Sequence, residues 1–479
     1  MLGTFLQTAP LTNGFRDPAF TRNKETPLHR WVPWIAGFSA QFVDDCLGKY
    51  LQLGNKKDVW VLDPFAGVGT TLVQAFLHGF NVVGFEINPY AVLACKAKLE
   101  AARLSVREFD RHISAFERYM QGRCPDNGAG NGNPRSKPPE GFSGRTQLFS
   151  PKVEHKVLFV KDFISRIDGP WIRDLFRLAL GSVMVSFSNY SYEPSLTRRA
   201  AVDKPNIPDA PVAAVVAAKL RLMLEDIAWL QRHLHEVGHI PEQKVFHDSF
   251  FTAAQAIKRR AFVDLVVTSP PYLNNYHYPR NTRPQLHWLG FASGPGYKGA
   301  GEGESFGKFW QTVRDLPAIN LGFDLPALQR TITLIRSLNT SKGQYGGAGW
   351  ANYVATYFND TYRFWSTLHH LLRAHAKVIV VLGNSVIQGV EVKTDVFFGQ
   401  IAELCGLDFE ETVLLRKKRT GSSIIQSAVR VDKASEKTVL YETAVIVSRP
   451  ALSRRKFSIP LRASYAGPAS PRNVAAKAG

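Results

Sequence analysis

Two apolar runs organise the chain, and each ends in an unusual turn. Val59-Trp60-Val61-Leu62 leads into Asp63-Pro64-Phe65-Ala66-Gly67-Val68-Gly69. About 200 residues later, Phe262-Val263-Asp264-Leu265-Val266-Val267 leads into Thr268-Ser269-Pro270-Pro271-Tyr272. Short apolar runs closed by glycine or proline read as buried strands. Behind the first run the pattern predicts a helix over 71–79, a strand over 81–86 and a helix over 89–104. That β-α-β-α rhythm opens a doubly wound α/β sheet.

The rhythm then breaks. Residues 1–30 are polar and irregular, and three- and four-residue apolar spacing predicts a helix across 31–53. Residues 124–150 are rich in Gly, Asn, Pro, Ser and Arg and read as a flexible loop. A mainly helical stretch covers 170–235, with a break near 194–211. Strand patterns resume at 244–247 and 262–267, and a glycine-rich irregular excursion spans 279–350. A helix over 353–374, a strand over 378–382, a helix over 394–405 and strands near 409–417 and 438–447 follow. The expected organisation is a first half of the core at 1–104, a helical insertion at 105–240, a second half at 241–450 and a disordered basic tail at 451–479.

Charge adds a partner class. Lys and Arg number 59 against 40 Asp and Glu, a net +19. Residues 412–479 hold 14 Lys/Arg and 3 Asp/Glu, so more than half of the excess is concentrated there. A concentrated positive field favours a polyanion, because neutralising phosphates releases counterions. The four cysteines, Cys46, Cys95, Cys124 and Cys405, are scattered without a C-x-x-C pair, which argues against a disulfide framework or a zinc ribbon. No apolar run reaches 18 residues and no export signal is visible, so a reducing cytoplasm is the expected compartment, with no membrane partner.

The two turns suggest complementary chemistry. Glycines after Asp63 let backbone approach a ligand at the carboxyl edge of a sheet. A phosphate cradle would carry a Lys before its Ser/Thr; here Thr70 and Thr71 open the helix instead. Glu86 ends the next strand, 19 residues beyond Gly67. An acid there suits a ribose diol, in a nicotinamide dinucleotide or in S-adenosylmethionine alike. Asp248 follows another strand and suits either an adenine amine or a helix cap. In Ser269-Pro270-Pro271-Tyr272 two prolines fix the backbone and withdraw two donors. Tyr272 can then stack on a planar base while Ser269 and the Pro270 carbonyl accept hydrogens from its exocyclic amine. A base held in a duplex must be flipped to reach such a pocket, and Tyr276 lies in an aromatic, polar stretch suited to an extruded nucleotide.

Asp63–Thr71 with Thr268–Tyr272 resembles the S-adenosylmethionine-dependent amino-methyltransferases of DNA. The resemblance covers about 30–104 and 240–450 and implies a Rossmann-like methyltransferase fold. It implies cofactor contacts at Asp63, Pro64, Phe65, Gly67, Gly69, Thr70, Glu86 and Asp248, and catalysis at Ser269, Pro270, Pro271 and Tyr272. Ser before the prolines, rather than Asp or Asn, looks like the cytosine-N4 branch. Thr26-Pro27-Leu28-His29-Arg30-Trp31 resembles the family's cofactor lid, or is simply a helix lead-in. Target recognition falls to 105–240 or to the 279–350 excursion, with Arg416-Lys417-Lys418-Arg419 as a phosphate contact or a solvated strand end. The implied partner is double-stranded DNA, with a cognate restriction endonuclease or defence subunits in attendance.

Other signals weigh less. His233, His235 and His239 lack an acid or Cys at metal-ligand spacing, so no metal is expected. No Pro-Cys dipeptide is present to serve carbon-5 methylation of cytosine. A dehydrogenase would share Gly67, Gly69 and Glu86 but leaves Ser269–Tyr272 unexplained. An adenine-N6 enzyme shares every motif. An RNA guanine-N2 enzyme would use a similar turn, usually behind an RNA-binding domain. A non-catalytic DNA-binding module is disfavoured by the intact motifs.

Overall fold

The structure, a computed structural model, describes residues 14–451 apart from 35–36, 52–55, 124–131, 141, 143–145, 194, 274–277, 293–304 and 419–439. Seven strands form one sheet: β1 (Trp60–Asp63), β2 (Asn81–Glu86), β5 (Gln243–His247), β6 (Val263–Thr268), β7 (Leu372–Gly383), β10 (Asp408–Lys418) and β11 (Leu440–Ser448). Two small hairpins, β3–β4 (Tyr190–Tyr192 and Leu196–Arg198) and β8–β9 (Ser385–Ile387 and Val390–Val392), stand apart. Across the sheet the order is β10-β11-β7-β6-β1-β2-β5. Strands β5, β2, β1, β6 and β7 run parallel, and β11 is antiparallel to both its neighbours. This doubly wound sheet is the Rossmann-like methyltransferase arrangement.

The apolar runs become strands because both faces are covered. Val61, Val82, Leu265, Val267, Ile379 and Ile446 face one hydrophobic cluster. Their alternating neighbours Leu62, Val83, Val266, Val378 and Val447 face the other. Successive side chains point to opposite faces, so a doubly covered strand is apolar throughout.

On the first face lie α1 (Ala40–Tyr50), α2 (Thr70–Leu77) and α3 (Pro89–Glu100). Asn88 starts α3, its side chain accepting from the Tyr90 and Ala91 amides, with Pro89 in the first turn. The insertion supplies α4 (Val106–Arg123), α5 (Pro151–Ile164), α6 (Pro170–Val183) and α7 (Val212–Val237). Phe109, Phe116, Phe176 and Leu230 from these helices are buried in the same cluster as α2 and α3. The insertion therefore extends the core. The Gly347–Leu371 and Thr394–Leu404 helices cover the second face.

Three expectations change. The helix predicted over 31–53 spans only Ala40–Tyr50. Val32, before Pro33, is extended, as a pre-proline residue prefers, and Ser39 caps the helix by accepting from the Phe42 amide. The 353–374 helix begins earlier, at Gly347, and β7 starts at Leu372, six residues before the apolar run. The 279–350 excursion is not irregular throughout. It contains Arg283–Trp288 and Pro326–Arg336 helices, the latter burying Leu328, Ile332 and Ile335 at helical spacing. Within the 124–150 loop, the Arg135 and Ser136 amides are bound by Asp162 at 2.7 Å each. The expected disordered tail, apart from its first residue, lies outside the described residues.

Candidate active site

The sheet reverses direction of winding between β1 and β6. Successive strands proceed from β1 to β2 to β5 on one side and from β6 to β7 on the other. Ligands of open α/β sheets lie at such a switch point, outside the carboxyl ends of the strands. The glycine loop leaves β1 at this edge, and Ser269 leaves β6 beside it. The paired register is Val61 with Leu265 and Leu62 with Val266. Two side chains fasten the tips together. Thr268 donates its hydroxyl to Asp63 at 2.7 Å, and Thr71 donates to the Val267 carbonyl at 2.9 Å. Burial pushes the Asp63 carboxyl up to about 6, against the pull of the Thr268 hydroxyl and Phe65 amide. Asp63 therefore joins the two halves of the site.

The loop is shaped by two left-handed residues. Gly67 has φ +51° and Gly69 φ +86°, a region costly for side-chain-bearing residues. A Cβ on Gly69 would lie 2.7 Å from Cys95 Sγ, and one on Gly67 3.4 Å from Trp34 Nε1. Behind the loop, buried Lys98 donates to the Val68 carbonyl at 2.8 Å, so a cation braces its rear. Glu86 holds its front. Its two carboxylate oxygens accept from the Gly67 amide at 2.9 Å and the Asn88 amide at 2.7 Å. Burial is the main cause raising the Glu86 carboxyl to about 7, and nearby Asp63 adds to it. The Ile87 amide also hydrogen-bonds to this carboxylate.

These parts surround one cavity of about 450 Å³, within the range of small-molecule sites. Glu86, Gly67, Asp248, Ser269 and Pro271 all line it. At the tip of β5, Asp248 Oδ1 accepts from the Ser249 amide, while the Ser249 hydroxyl caps the following short helix by accepting from the Phe251 amide. Serine is thus the cap, and Asp248 remains a wall of the cavity. Phe65 packs on Phe306 (5.2 Å between centroids) and Phe364 (5.7 Å), making the apolar floor.

The Ser269–Tyr272 turn is held from two sides. Tyr357, on the Gly347–Leu371 helix, donates to the Pro271 carbonyl at 3.0 Å. Tyr272 donates its phenol to Glu442 Oε1 on β11 at 3.2 Å. Pro270 is buried, and Tyr272 is half-buried. Gly307 roofs the cavity, its amide bound by buried Asp360 at 3.0 Å.

The N-terminal segment reaches the cavity through Trp34 and Phe38. Its root is a buried hub in the insertion. Asp226 on α7 accepts from the Leu28 amide, the Trp31 indole and the Arg30 guanidinium at 2.8, 2.9 and 2.6 Å. Trp31 is fully buried, as the lead-in reading expected.

Most sequence-predicted residues meet here: Asp63, Pro64, Phe65, Gly67, Thr70, Glu86, Asp248, Ser269 and Pro271 line the cavity, whereas Gly69, Pro270 and Tyr272 are not among its lining residues. Arg416 does not extend freely toward solvent. It pairs with Glu442, next to Tyr272. Lys417 is exposed. Lys418 closes β10, while Tyr276, Arg419 and the Lys418 side chain lie outside the described residues. His233 and His239 donate from Nε2 to the Leu77 and Gly79 carbonyls, at 2.9 and 3.0 Å. Trp34, Asp226, Tyr357 and Glu442 escaped the sequence reading. Glu442 did leave a signal, an acid inside the apolar strand Leu440–Ser448.

A glycine loop, an acid at a strand tip and a proline turn thus surround one cavity at the switch point of the sheet. A sequence family described as DNA methylase matches residues 7–97. Type II methyltransferase M.BsoBI of Geobacillus stearothermophilus is 23% identical over 57% of the chain and 54% of that protein. M.AvaI of Nostoc is 22% identical over 85% of the chain and 84% of its own length. M.MvaI of Kocuria varians is 27% identical over 47% and 50%. The chain thus spans about half the length of the first of these relatives. Among solved structures, an rRNA methyltransferase, aviRa from Streptomyces viridochromogenes, has a TM-score of 0.28 at 11% identity over 87% of each chain, too low to bear on the fold. These likenesses are to methyltransferases, which take their methyl group from S-adenosylmethionine. The cavity fits that donor: Gly67 lines it without a side chain, and the Glu86 carboxyl faces the same space.

Proposed function

We propose that this chain transfers a methyl group from S-adenosylmethionine to the exocyclic N4 amine of a flipped cytosine in double-stranded DNA, as the modification half of a restriction system or as a solitary enzyme. The observation that carries the reading is the placement of Gly67 and Ser269 at adjacent strand tips, bridged by Asp63 and Thr268 and opening on one cavity. The donor supplies a sulfonium methyl. Glu86 would hold its ribose hydroxyls, Asp248 its adenine amine, and the Gly67–Gly69 backbone its close face. Tyr272 would stack on the base. Ser269 and the Pro270 carbonyl would accept the amine hydrogens, drawing the nitrogen toward tetrahedral geometry and exposing its lone pair. The amine nitrogen would take the methyl as the sulfonium leaves as a neutral thioether, and the proton lost from nitrogen would pass to solvent. Positioning and aligned dipoles supply most of the acceleration. Ser269 at the head of the turn favours cytosine over adenine, and the basic run from Arg416 to Arg419, with Tyr276, is assigned to the nucleic acid.

The test is nucleoside mass spectrometry after incubation with donor and DNA. N4-methylcytosine is expected; N6-methyladenine would refute the base assignment, and methylation of RNA alone the substrate. Tyr272→Ala or Pro270→Ala should abolish transfer while donor binding persists.

A further inference from the structure

A buried acid inside an apolar strand calls for a reason. Glu442 is 5% exposed, and the strand continues as Ala444, Val445, Ile446 and Val447, all fully buried. A carboxylate in such a place is costly unless paired and hydrogen-bonded. Glu442 is paired twice. One oxygen takes the Arg416 guanidinium from β10, where Arg416 and Glu442 are cross-strand partners. The other takes the phenol of Tyr272. Because β11 is antiparallel, its first residues lie at the edge where β6 and β7 end; Glu442 is in register with Gly383, the last residue of β7. A Cβ on Gly383 would sit 3.8 Å from Glu442 Cγ and 2.5 Å from the Tyr441 carbonyl, so this edge admits no larger residue without displacement.

We infer that Glu442, itself fixed by Arg416, is a positioning residue that sets the ring plane of Tyr272 before the target base arrives. The inference rests on the proposed role of Tyr272 as the stacking platform. A tyrosine has two side-chain torsions, and ordering them in advance removes that cost from the binding of the base. Pro271 and Tyr357 fix the backbone end of the residue; Glu442 fixes the phenol end. The residue is thus secured from both ends. Arg416 accordingly serves the site through Glu442, besides any contact its strand makes with phosphate.

The test is a double-mutant cycle in the full chain with Tyr272→Phe, Glu442→Met and both together, read as kcat and KM for DNA, donor affinity by calorimetry, and melting temperature. Each single change should lower kcat/KM on DNA about tenfold, the worth of one hydrogen bond to a charged group. Donor affinity should stay within about twofold. The double variant should be no slower than the slower single one, since both remove one bond. Losses that multiply to about a hundredfold would overturn the inference, as would a Glu442→Met chain whose donor binding falls in step with its activity. If Glu442→Met does not fold, Tyr272→Phe decides alone: undiminished kcat/KM would overturn it. A wild-type chain that methylates no DNA base removes the functional reading and this inference with it, whereas multiplying losses in an active enzyme remove only the inference.

Discussion

Replacing Gly69 with alanine tests the loop most directly. Two penalties apply, and they can be separated. The first is conformational: Gly69 has φ +86°, and an L-residue in the left-handed region costs roughly 1–2 kcal/mol. The second is steric. The new Cβ would lie 2.7 Å from Cys95 Sγ, well inside contact distance, and overpacking of this kind costs about 1–3 kcal/mol. The other close atoms, Cys95 Cα at 3.6 Å and Cβ at 3.7 Å, are in ordinary contact. Cys95→Ala should therefore remove the steric part and leave the conformational part. Gly69→Ala should cost about 3 kcal/mol in the native background but only about 1–2 kcal/mol beside Cys95→Ala, a favourable coupling of about 1–2 kcal/mol. Equilibrium urea unfolding of the four chains measures it. Gly69→Ala should also weaken S-adenosylmethionine at least tenfold by calorimetry, because relief of the clash must move the loop. An equal penalty in both backgrounds, to within about 0.5 kcal/mol, would show the contact to be immaterial and the argument wrong.

Other consequences can be measured as readily. Glu86 has its carboxyl raised from 4.5 to about 7, so the folded chain binds the extra proton between those values; stability of the donor-free protein should fall as pH rises through that window, by on the order of 3 kcal/mol, and Glu86→Gln should flatten the slope seen in pH-dependent unfolding. Donor binding, by hydrogen-bonding to the ionised form, should release nearly a full proton at pH 6 and almost none at pH 8, read from calorimetry in buffers of different ionisation enthalpy; equal release at both would exclude Glu86 as the diol acceptor. Tyr357→Phe should leave donor affinity unchanged but slow transfer about fivefold, through loss of one ~1 kcal/mol hydrogen bond to the Pro271 carbonyl. Asp226→Ala should destabilise the chain by roughly 3–5 kcal/mol in chemical unfolding, because it strands the buried Leu28 amide and Trp31 indole and unpairs Arg30.

The cofactor half of the site was legible because its chemistry is local. Gly67, Gly69 and Glu86 sit within twenty residues, on two strands joined by one helix, and their spacing alone predicts an acid facing a glycine loop. Ser269–Tyr272 was legible because two prolines after an apolar strand admit few conformations. What stayed hidden is held by tertiary contacts. Tyr357 lies mid-helix among other buried aromatics, and nothing in its neighbourhood marks its phenol as a partner of Pro271. Asp226 is one charge on a 26-residue helix, and only folding shows that it anchors residues nearly 200 positions away. Arg416 looked like a surface cation because its run of four basic residues reads as solvated; the strand register that sets it opposite Glu442 is invisible until β10 and β11 pair. The excursion hid its helices because Gly and Pro around Pro326 outweighed the Leu328, Ile332 and Ile335 stripe.

The position of β11 bears on how the molecule comes into being. Of the sheet's described strands it comes last along the chain, yet it lies in the interior of the sheet, between two strands made before it. Until it arrives, β7 and β10 each present a bare apolar flank with unsatisfied amides, the kind of margin that invites pairing with another chain. Clipping before Leu440 would therefore do more than trim a surface: it would leave a gap between β10 and β7 and expose a template for aggregation.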